Sequence, residues 1–264
     1  MEILLPVCIV AVIALLAGIG LGVANRYMAV KGDPKAEAIE KELPGANCGA
    51  CGFSGCKGYA AALSQSPNLR TNLCAVGGEE VAKKISAILG VAPAAVEKKC
   101  AQVHCRGSMD CTGKKMEYQG ISSCTAAAAL YGGGGNCRFG CIGLGDCAAA
   151  CDFGAIQICG GVAMVVSVAC RACGKCVNAC PKQLISLVPA HKAAAVFCSN
   201  TDKGAQTKAA CTAGCLGCRL CAKVCTEGAI SFWEGLAVVD RDKCIGCGKC
   251  RDACKFGVML LWGE

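Results

Sequence analysis

The sequence has few aromatic side chains and few groups suited to acid-base or hydride chemistry. Phe, Tyr and Trp make up 5% of the chain, and the only His residues are His104 and His191. No G-x-G-x-x-G motif follows a predicted strand and no P-loop is present, which argues against a nicotinamide, flavin or nucleotide site in this chain. The glycine run at 132–135 follows an Ala-rich helical stretch, so we interpret it as a helix stop and connector.

Cysteine is what the sequence has in excess, with 28 of 264 residues. This many cysteines indicate either a disulfide scaffold in a secreted protein or thiolate ligation of metal in a reducing compartment. Because aromatic residues are scarce, a conventional hydrophobic core would be thin for this length. Bound clusters would add cohesion, since metal binding is coupled to folding. Spacing and topology decide between the two interpretations.

The formal net charge is +8, from 27 Lys and Arg against 19 Asp and Glu. Such an excess suits nucleic acid, anionic lipid or an acidic protein partner, and it also suits a plain solvated surface. Lys and Arg are scattered between cysteines without clustered aromatic residues, and no nucleic-acid-binding motif is present. We therefore predict no nucleic-acid partner, and docking of an acidic electron-carrier protein is the specific alternative to a solvated surface.

An uncharged apolar segment runs from Ile3 to Ala24 and has 22 residues. As a helix it would extend for about 33 Å, enough to cross a bilayer. A signal peptide is the alternative, but only Glu2 carries charge before the segment, which is also longer than a usual signal-peptide apolar region. We predict a transmembrane helix over residues 1–25.

Basic residues follow this segment closely: Arg26, Lys31, Lys35 and Lys41. By the positive-inside rule they place the rest of the chain in the cytoplasm. We therefore expect a single-pass protein of the inner (cytoplasmic) membrane with its cluster domains in the cytoplasm. That compartment is reducing, which favours metal ligation over disulfides.

The first metal site is predicted at Cys48, Cys51, Cys56 and Cys74, spaced C-x2-C-x4-C-x17-C. Glycines between the first three cysteines allow the backbone to wrap closely around a cluster. A tetrahedral zinc site is the alternative, but three closely spaced cysteines with a remote fourth are more typical of a 4Fe-4S cubane. The flanking segments predict helices, so a small helical module surrounds this site.

Four later runs of cysteines predict four more 4Fe-4S clusters. Three runs have the bacterial ferredoxin spacing C-x2-C-x2-C-x3-C, and the run from Cys137 reads C-x3-C-x5-C-x3-C. In two-cluster ferredoxins the fourth cysteine of each run ligates the other cluster. The predicted ligand sets are Cys137, Cys141, Cys147 with Cys180; Cys170, Cys173, Cys176 with Cys151; Cys215, Cys218, Cys221 with Cys254; and Cys244, Cys247, Cys250 with Cys225.

The two pairs of runs are a duplication, because an offset of 74 residues superposes Cys141 on Cys215 and Cys170 on Cys244. Where the second copy has Cys218, the first has Leu144, and Cys137 is predicted to replace the missing ligand. The offset also places Cys124 on Cys198.

Seven cysteines remain besides Cys8 of the apolar segment: Cys100, Cys105, Cys111, Cys124, Cys159, Cys198 and Cys211. We hypothesise a sixth cluster bound by Cys105, Cys124, Cys198 and Cys211, because the C-x12-C spacing is duplicated and these cysteines have no other use. Buried free thiols, which pack as small hydrophobes, are the alternative. Cys159 aligns with Trp233 and is interpreted as a packing residue.

The chain resembles the B subunit of the Rnf complex. The resemblance rests on the motif Leu-Pro-Gly-Ala-Asn-Cys-Gly-Ala-Cys-Gly-Phe-Ser-Gly-Cys behind a single apolar segment, on Cys-Arg-Phe-Gly-Cys-Ile-Gly-Leu-Gly-Asp-Cys, and on two ferredoxin modules. It implies an electron-transfer subunit of an ion-translocating ferredoxin:NAD+ oxidoreductase that exchanges electrons with soluble ferredoxin or flavodoxin. It also implies partner subunits that carry the flavins, the nicotinamide site and the ion path. We therefore predict no catalytic residue here.

Two rival functions remain open. A membrane-tethered free-standing polyferredoxin would serve another redox enzyme, and a zinc-rich interaction protein would be colourless. The expected fold is α+β, with one N-terminal transmembrane helix, a small helical 4Fe-4S domain and two tandem two-cluster ferredoxin-like modules. The predicted boundaries are the membrane helix at 1–25, the 4Fe-4S domain at 26–95, a connector holding the extra ligands at 96–130, and modules at 131–190 and 191–264.

Overall fold

The computed structural model describes residues 4–28, 33–66, 68–191 and 193–262. The helices in these ranges are α1 Leu4–Met28, α2 Pro34–Glu42, α3 Cys56–Gln65, α4 Gly78–Leu89, α5 Cys124–Ala129, α6 Asp146–Ala149, α7 Lys175–Ala179, α8 Gly204–Ala210, α9 Leu220–Lys223 and α10 Lys249–Asp252. The strands are β1 Lys99–Val103, β2 Ile156–Cys159, β3 Val162–Val165, β4 Ile185–Pro189, β5 Ala194–Val196, β6 Ile230–Trp233, β7 Leu236–Val239 and β8 Met259–Leu261. The chain is thus a mixture of helices and strands.

The N-terminal segment requires a correction. Helix α1 is present and its large apolar side chains from Val7 to Val23 are exposed. Within the part of the chain that the structure describes, however, no helix combines the length and apolarity that a membrane crossing needs. The transmembrane helix expected over residues 1–25 is therefore wrong by this criterion, and residues 1–3 of that range lie outside the described residues.

Helices α2, α3 and α4 form a small helical domain. Ile39, Tyr59, Leu63 and Ile85, one or two from each helix, are almost completely buried together. The Tyr59 hydroxyl donates to the Arg70 carbonyl oxygen at 2.7 Å, which ties the loop after α3 to this core. The loop before α3 and the loop before α4 are thereby held on the same side of the domain.

The rest of the chain forms two copies of one module, each with two antiparallel two-stranded sheets. In the first module β1 pairs with β4 and β2 with β3; in the second, β5 pairs with β8 and β6 with β7. The register is the same in both copies, because Val103 lies opposite Ile185 and Val196 lies opposite Met259. Each module therefore also includes a strand that precedes its cysteine runs.

The modules contact each other through the β1–β4 sheet of the first. Arg241 of the second module donates to the Pro189 carbonyl oxygen at 3.2 Å and to Gln102 Oε1 at 2.5 Å. Gln102 is 1% exposed and donates in turn to the Val196 carbonyl oxygen at 3.2 Å. Buried polar groups with satisfied hydrogen bonds give this interface a defined geometry.

Candidate iron-sulfur sites

Cysteine side chains gather in groups of four around shared spaces. Among the described residues, no three His, Cys, Asp or Glu side chains meet closely enough to hold a single metal ion. A 4Fe-4S cluster makes a different demand, because each of its four thiolates binds a different iron. Its ligands surround a space instead of converging on one point, and the groups below have that arrangement.

The helical-domain site consists of Cys48, Cys51, Cys56 and Cys74, which line one cavity between the loops that precede α3 and α4. The Asn47 side-chain oxygen accepts from the Cys56 amide at 2.8 Å, and Gly77 donates its amide to Cys74 Sγ at 3.3 Å. Burial raises the pKa of the Cys74 thiol, and the other three sulfurs raise it further. The predicted four cysteines of this site are thus brought together.

The outer site of the first module consists of Cys151, Cys170, Cys173 and Cys176. Burial raises the pKa of the Cys176 thiol to about 11, and the sulfurs of the other three add to the increase. Two backbone amides point at this site, from Ala155 to Cys151 Sγ at 3.3 Å and from Ala101 to Cys170 Sγ at 3.4 Å. These are the four cysteines that the crossed spacing predicts.

The inner site of the first module differs from the predicted set. Its cavity is lined by Cys124, Cys141, Cys147 and Cys180, so Cys124 stands where the spacing places Cys137. Burial raises the pKa of the Cys147 thiol to about 12, with further increases from Cys141, Cys124 and Cys180. The missing ligand at Leu144 is therefore replaced from helix α5.

Asp146 holds Cys124 in that position. Its carboxylate accepts from the amides of Cys124 at 2.7 Å and Thr125 at 2.9 Å, and from the hydroxyls of Ser123 at 2.9 Å and Thr125 at 3.0 Å. Partial burial of the carboxyl group raises its pKa, but these hydrogen bonds outweigh burial and lower the pKa. Sequence reasoning missed Asp146, although its counterpart in the repeat is the apolar Leu220.

The second module has two sites made of the predicted cysteines. The inner site of the second module consists of Cys215, Cys218, Cys221 and Cys254, and its outer site consists of Cys225, Cys244, Cys247 and Cys250. Burial raises the pKa of Cys221 to about 11. Ala194 donates its amide to Cys244 Sγ at 3.3 Å, as Ala101 does to Cys170 in the first copy. Cys218 and Cys247 are exposed.

The central site lies between the modules. Its cavity is lined by Cys105, Cys137, Cys198 and Cys211, so the structure exchanges Cys124 for Cys137 in the hypothesised sixth set. The strand register explains the exchange: Val103 and Val196 are equivalent, which makes Cys105, and not Cys124, the counterpart of Cys198. Residues 106–136 separate Cys105 from Cys137, whereas residues 199–210 separate Cys198 from Cys211.

Three described cysteines lie outside all of these groups. Cys100 is buried beside Cys170, Cys111 accepts from the Ser108 hydroxyl at 3.4 Å, and Cys159 is exposed at the end of β2. The side chain of Cys8 lies outside the described residues.

Family models match the parts of the chain that hold these groups. Residues 43–68 match the family described as "Putative Fe-S cluster". Residues 169–229 and 214–258 match the 4Fe-4S dicluster domain. The fold and the sites thus define an iron-sulfur protein with 4Fe-4S domains.

Curated relatives identify the family. The chain is 40% identical, over 91% of its length and 72% of the relative, to the B subunit of the Na(+)-translocating ferredoxin:NAD(+) oxidoreductase complex of Acetobacterium woodii. It is 38% identical to the B subunit of the ion-translocating oxidoreductase complex of Methanosarcina acetivorans, covering 88% of this chain and 90% of the relative. It is 37% identical to the B subunit of the proton-translocating ferredoxin:NAD(+) oxidoreductase complex of Clostridium ljungdahlii, covering 88% and 82%. The chain belongs to this family of B subunits, which confirms the resemblance to the Rnf complex.

Proposed function

We propose that this chain is the electron-transfer subunit of an ion-translocating ferredoxin:NAD+ oxidoreductase complex. The observation that carries the proposal is family membership over 88% to 91% of the chain. The groups of four cysteines supply what such a component needs, namely several redox centres along one polypeptide. The other subunits of the complex are its permanent partners.

Five of the cysteine groups are proposed as 4Fe-4S sites: the helical-domain site and the inner and outer sites of both modules. The fit is supported by sulfurs that surround a space and by backbone amides aimed at them. A 4Fe-4S cluster, when bound, accepts or releases one electron, and hydrogen bonds to its sulfurs tune the potential. The chain's contribution is to hold the thiolates, exclude water and set the order of the sites.

Binding of clusters also requires proton release. Burial, reinforced by neighbouring sulfurs, raises the pKa of Cys74, Cys147, Cys176 and Cys221. These thiols are therefore protonated at neutral pH without metal, whereas iron binds thiolates. Iron incorporation should release protons and become more favourable as the pH rises.

Soluble ferredoxin or flavodoxin is the proposed redox partner in solution. The net charge of +8 supports docking of an acidic carrier protein. The exposed Cys218 and Cys247 show that the second module brings two sites close to its surface. Ion translocation takes place across a membrane, so the proposed location is the cytoplasmic side of the inner membrane, within the complex.

The test is anaerobic purification of the affinity-tagged chain from its native cells in mild detergent. We expect a stable multi-subunit assembly and a brown chain whose visible absorption bleaches when reduced ferredoxin is added. A chain that purifies alone would indicate the free-standing polyferredoxin. A colourless, zinc-containing chain would refute electron transfer.

A further inference from the structure

We propose that the central site, formed by Cys105, Cys137, Cys198 and Cys211, binds a sixth 4Fe-4S cluster and connects the two modules for electron transfer. The inference rests on the proposed electron-transfer function and adds a centre to it. Neither family match includes Cys105 or Cys137, so the site is argued from the structure alone.

The four sulfurs form a cradle closed by backbone. All four cysteines line the same cavity. Gly107 lies so close that a Cβ added to it would be 3.0 Å from Cys211 Sγ and 3.8 Å from Cys105 Sγ. The main chain at Gly107 therefore contacts one sulfur from each module, and a larger residue would occupy the space beside the cluster.

Donors surround the sulfurs, as they do at the five motif sites. Cys198 Sγ accepts from the amides of Cys215 and Asn200, both at 3.4 Å, and Cys105 Sγ accepts from the Cys141 amide at 3.4 Å. The Asn200 side-chain nitrogen also donates to Cys137 Sγ at 3.6 Å. Asn200 is 2% exposed, so a buried amide is devoted to two sulfurs of this site. Such donors stabilise thiolates and tune cluster potentials, whereas a buried free thiol packs without them.

The site obeys the symmetry of the duplication. Cys105 and Cys137 of the first module are the counterparts of Cys198 and Cys211 of the second. Each module therefore supplies one equivalent pair of ligands across the interface. Hydrogen bonds fix the two halves beside the site, from Ser199 Oγ to the His104 carbonyl oxygen and from Thr112 Oγ1 to the Ala210 carbonyl oxygen, both at 2.9 Å.

The position of the site completes a continuous series. The amide donor to Cys105 belongs to Cys141, a ligand of the first module's inner site, and one donor to Cys198 belongs to Cys215, a ligand of the second module's inner site. Further out, Cys48 of the helical-domain site influences Cys173 electrostatically. A single electron from reduced ferredoxin can thus cross between modules, each site becoming oxidised as the next becomes reduced.

The experiment measures iron per chain in the full-length protein purified anaerobically. Six clusters of four irons predict about 24 iron atoms in the wild type. The variant Cys137→Ala/Cys211→Ala, which removes one ligand from each module, should lose about four. The matched control Cys111→Ala/Cys159→Ala alters two cysteines outside the groups and should keep the wild-type content.

Each other outcome has a defined meaning. About 20 iron atoms in both the wild type and the double variant would overturn the central cluster and leave the proposed function intact. A wild type that binds zinc in place of iron and sulfide would overturn both proposals.

A second variant keeps all ligands and so does not depend on cluster loss. Asn200→Ala removes the donor to Cys137 Sγ, and losing a hydrogen bond to sulfur disfavours the reduced, more negative cluster. In an EPR-monitored redox titration of the full chain, one component should shift to a lower potential while iron content stays constant. Titration curves identical to those of the wild type would contradict the proposal.

Discussion

Cys124 reaches the inner site of the first module because one carboxylate holds it there. Four hydrogen bonds join Asp146 to residues 123–125, at the start of α5. In the second module the equivalent ligand, Cys218, is part of the run itself and needs no such support. A single residue thus compensates for the absence of a cysteine at Leu144.

Replacing Asp146 should therefore labilise one cluster. Asp146→Ala removes charge-assisted hydrogen bonds worth about 2 kcal/mol together, or roughly thirty-fold in local opening. We expect faster loss of about four irons per chain to a chelator, with partial rescue in Asp146→Asn. Asp110→Asn, an exposed carboxylate of the same connecting segment, is the control; iron loss at the wild-type rate in Asp146→Ala would refute this role.

The effect should not depend on pH near neutrality. The folded-state pKa of Asp146 is lowered from 3.8, so its contribution is present above that value and is lost only as the pH falls through the lower folded-state pKa. The difference in iron-loss rate between wild type and Asp146→Ala should be equal at about pH 6 and about pH 8. A difference that vanishes at the lower pH would assign the effect to another group.

At the scale of the element, each module's first cysteine loop is packed against the turn of a hairpin. Gly217 has φ +66°, and a Cβ added there would be 2.6 Å from the Gly235 carbonyl oxygen, in the turn between β6 and β7. Gly143 makes the equivalent contact with Gly161. Both loops therefore require glycine for conformation and for space.

Gly217→Ala should damage the inner site of the second module. The substitution adds a backbone collision to the left-handed strain of about 1–2 kcal/mol. Gly228→Ala is the matched control, because Gly228 has φ +59° and open space around its Cβ position. We expect lower iron content and a lower thermal midpoint in Gly217→Ala, with full iron content in the control. Equal behaviour of the two variants would mean that strain alone matters.

At the scale of the whole molecule, the two modules act as one unit only while their interface holds. Arg241→Met leaves Gln102 without its guanidinium partner in a buried position, at a cost of about 1–3 kcal/mol. We expect faster hydrogen exchange in β1 and β4, whereas Lys208→Met, at an exposed position on α8, should leave exchange unchanged. Unaltered exchange in Arg241→Met would show that the interface does not depend on this contact.

The basic surface should make partner association depend on salt. Raising ionic strength from 0.1 M to 1 M shortens the Debye length from about 10 Å to about 3 Å. The rate at which reduced ferredoxin reduces the chain should fall steeply over this range, while reduction by a small uncharged mediator should change little. A rate that is independent of salt would remove the electrostatic argument for an acidic partner.

Local spacing predicts most ligand sets because three ligands of each ferredoxin run lie within a few residues of one another, and chain connectivity brings them together. The structure accordingly gathers the cysteines of the helical-domain site and of both second-module sites as the spacing predicts. The duplication is likewise evident from an offset of 74 residues. The α+β expectation with a membrane-spanning helix was corrected, because that feature is not met in the described part of the chain.

What the sequence by itself determined is the chemistry: thiolates in runs of four, repeated, within a family of B subunits. Only the tertiary structure decided which thiolates share a space when they are far apart in the chain. Cys105 and Cys124 could not be assigned by offset, since residues 106–136 break the repeat between them and the strand register alone restores it. Ligands separated by an insertion are brought together by sheet pairing and module docking, which are properties of the folded chain and not of any short stretch of its sequence.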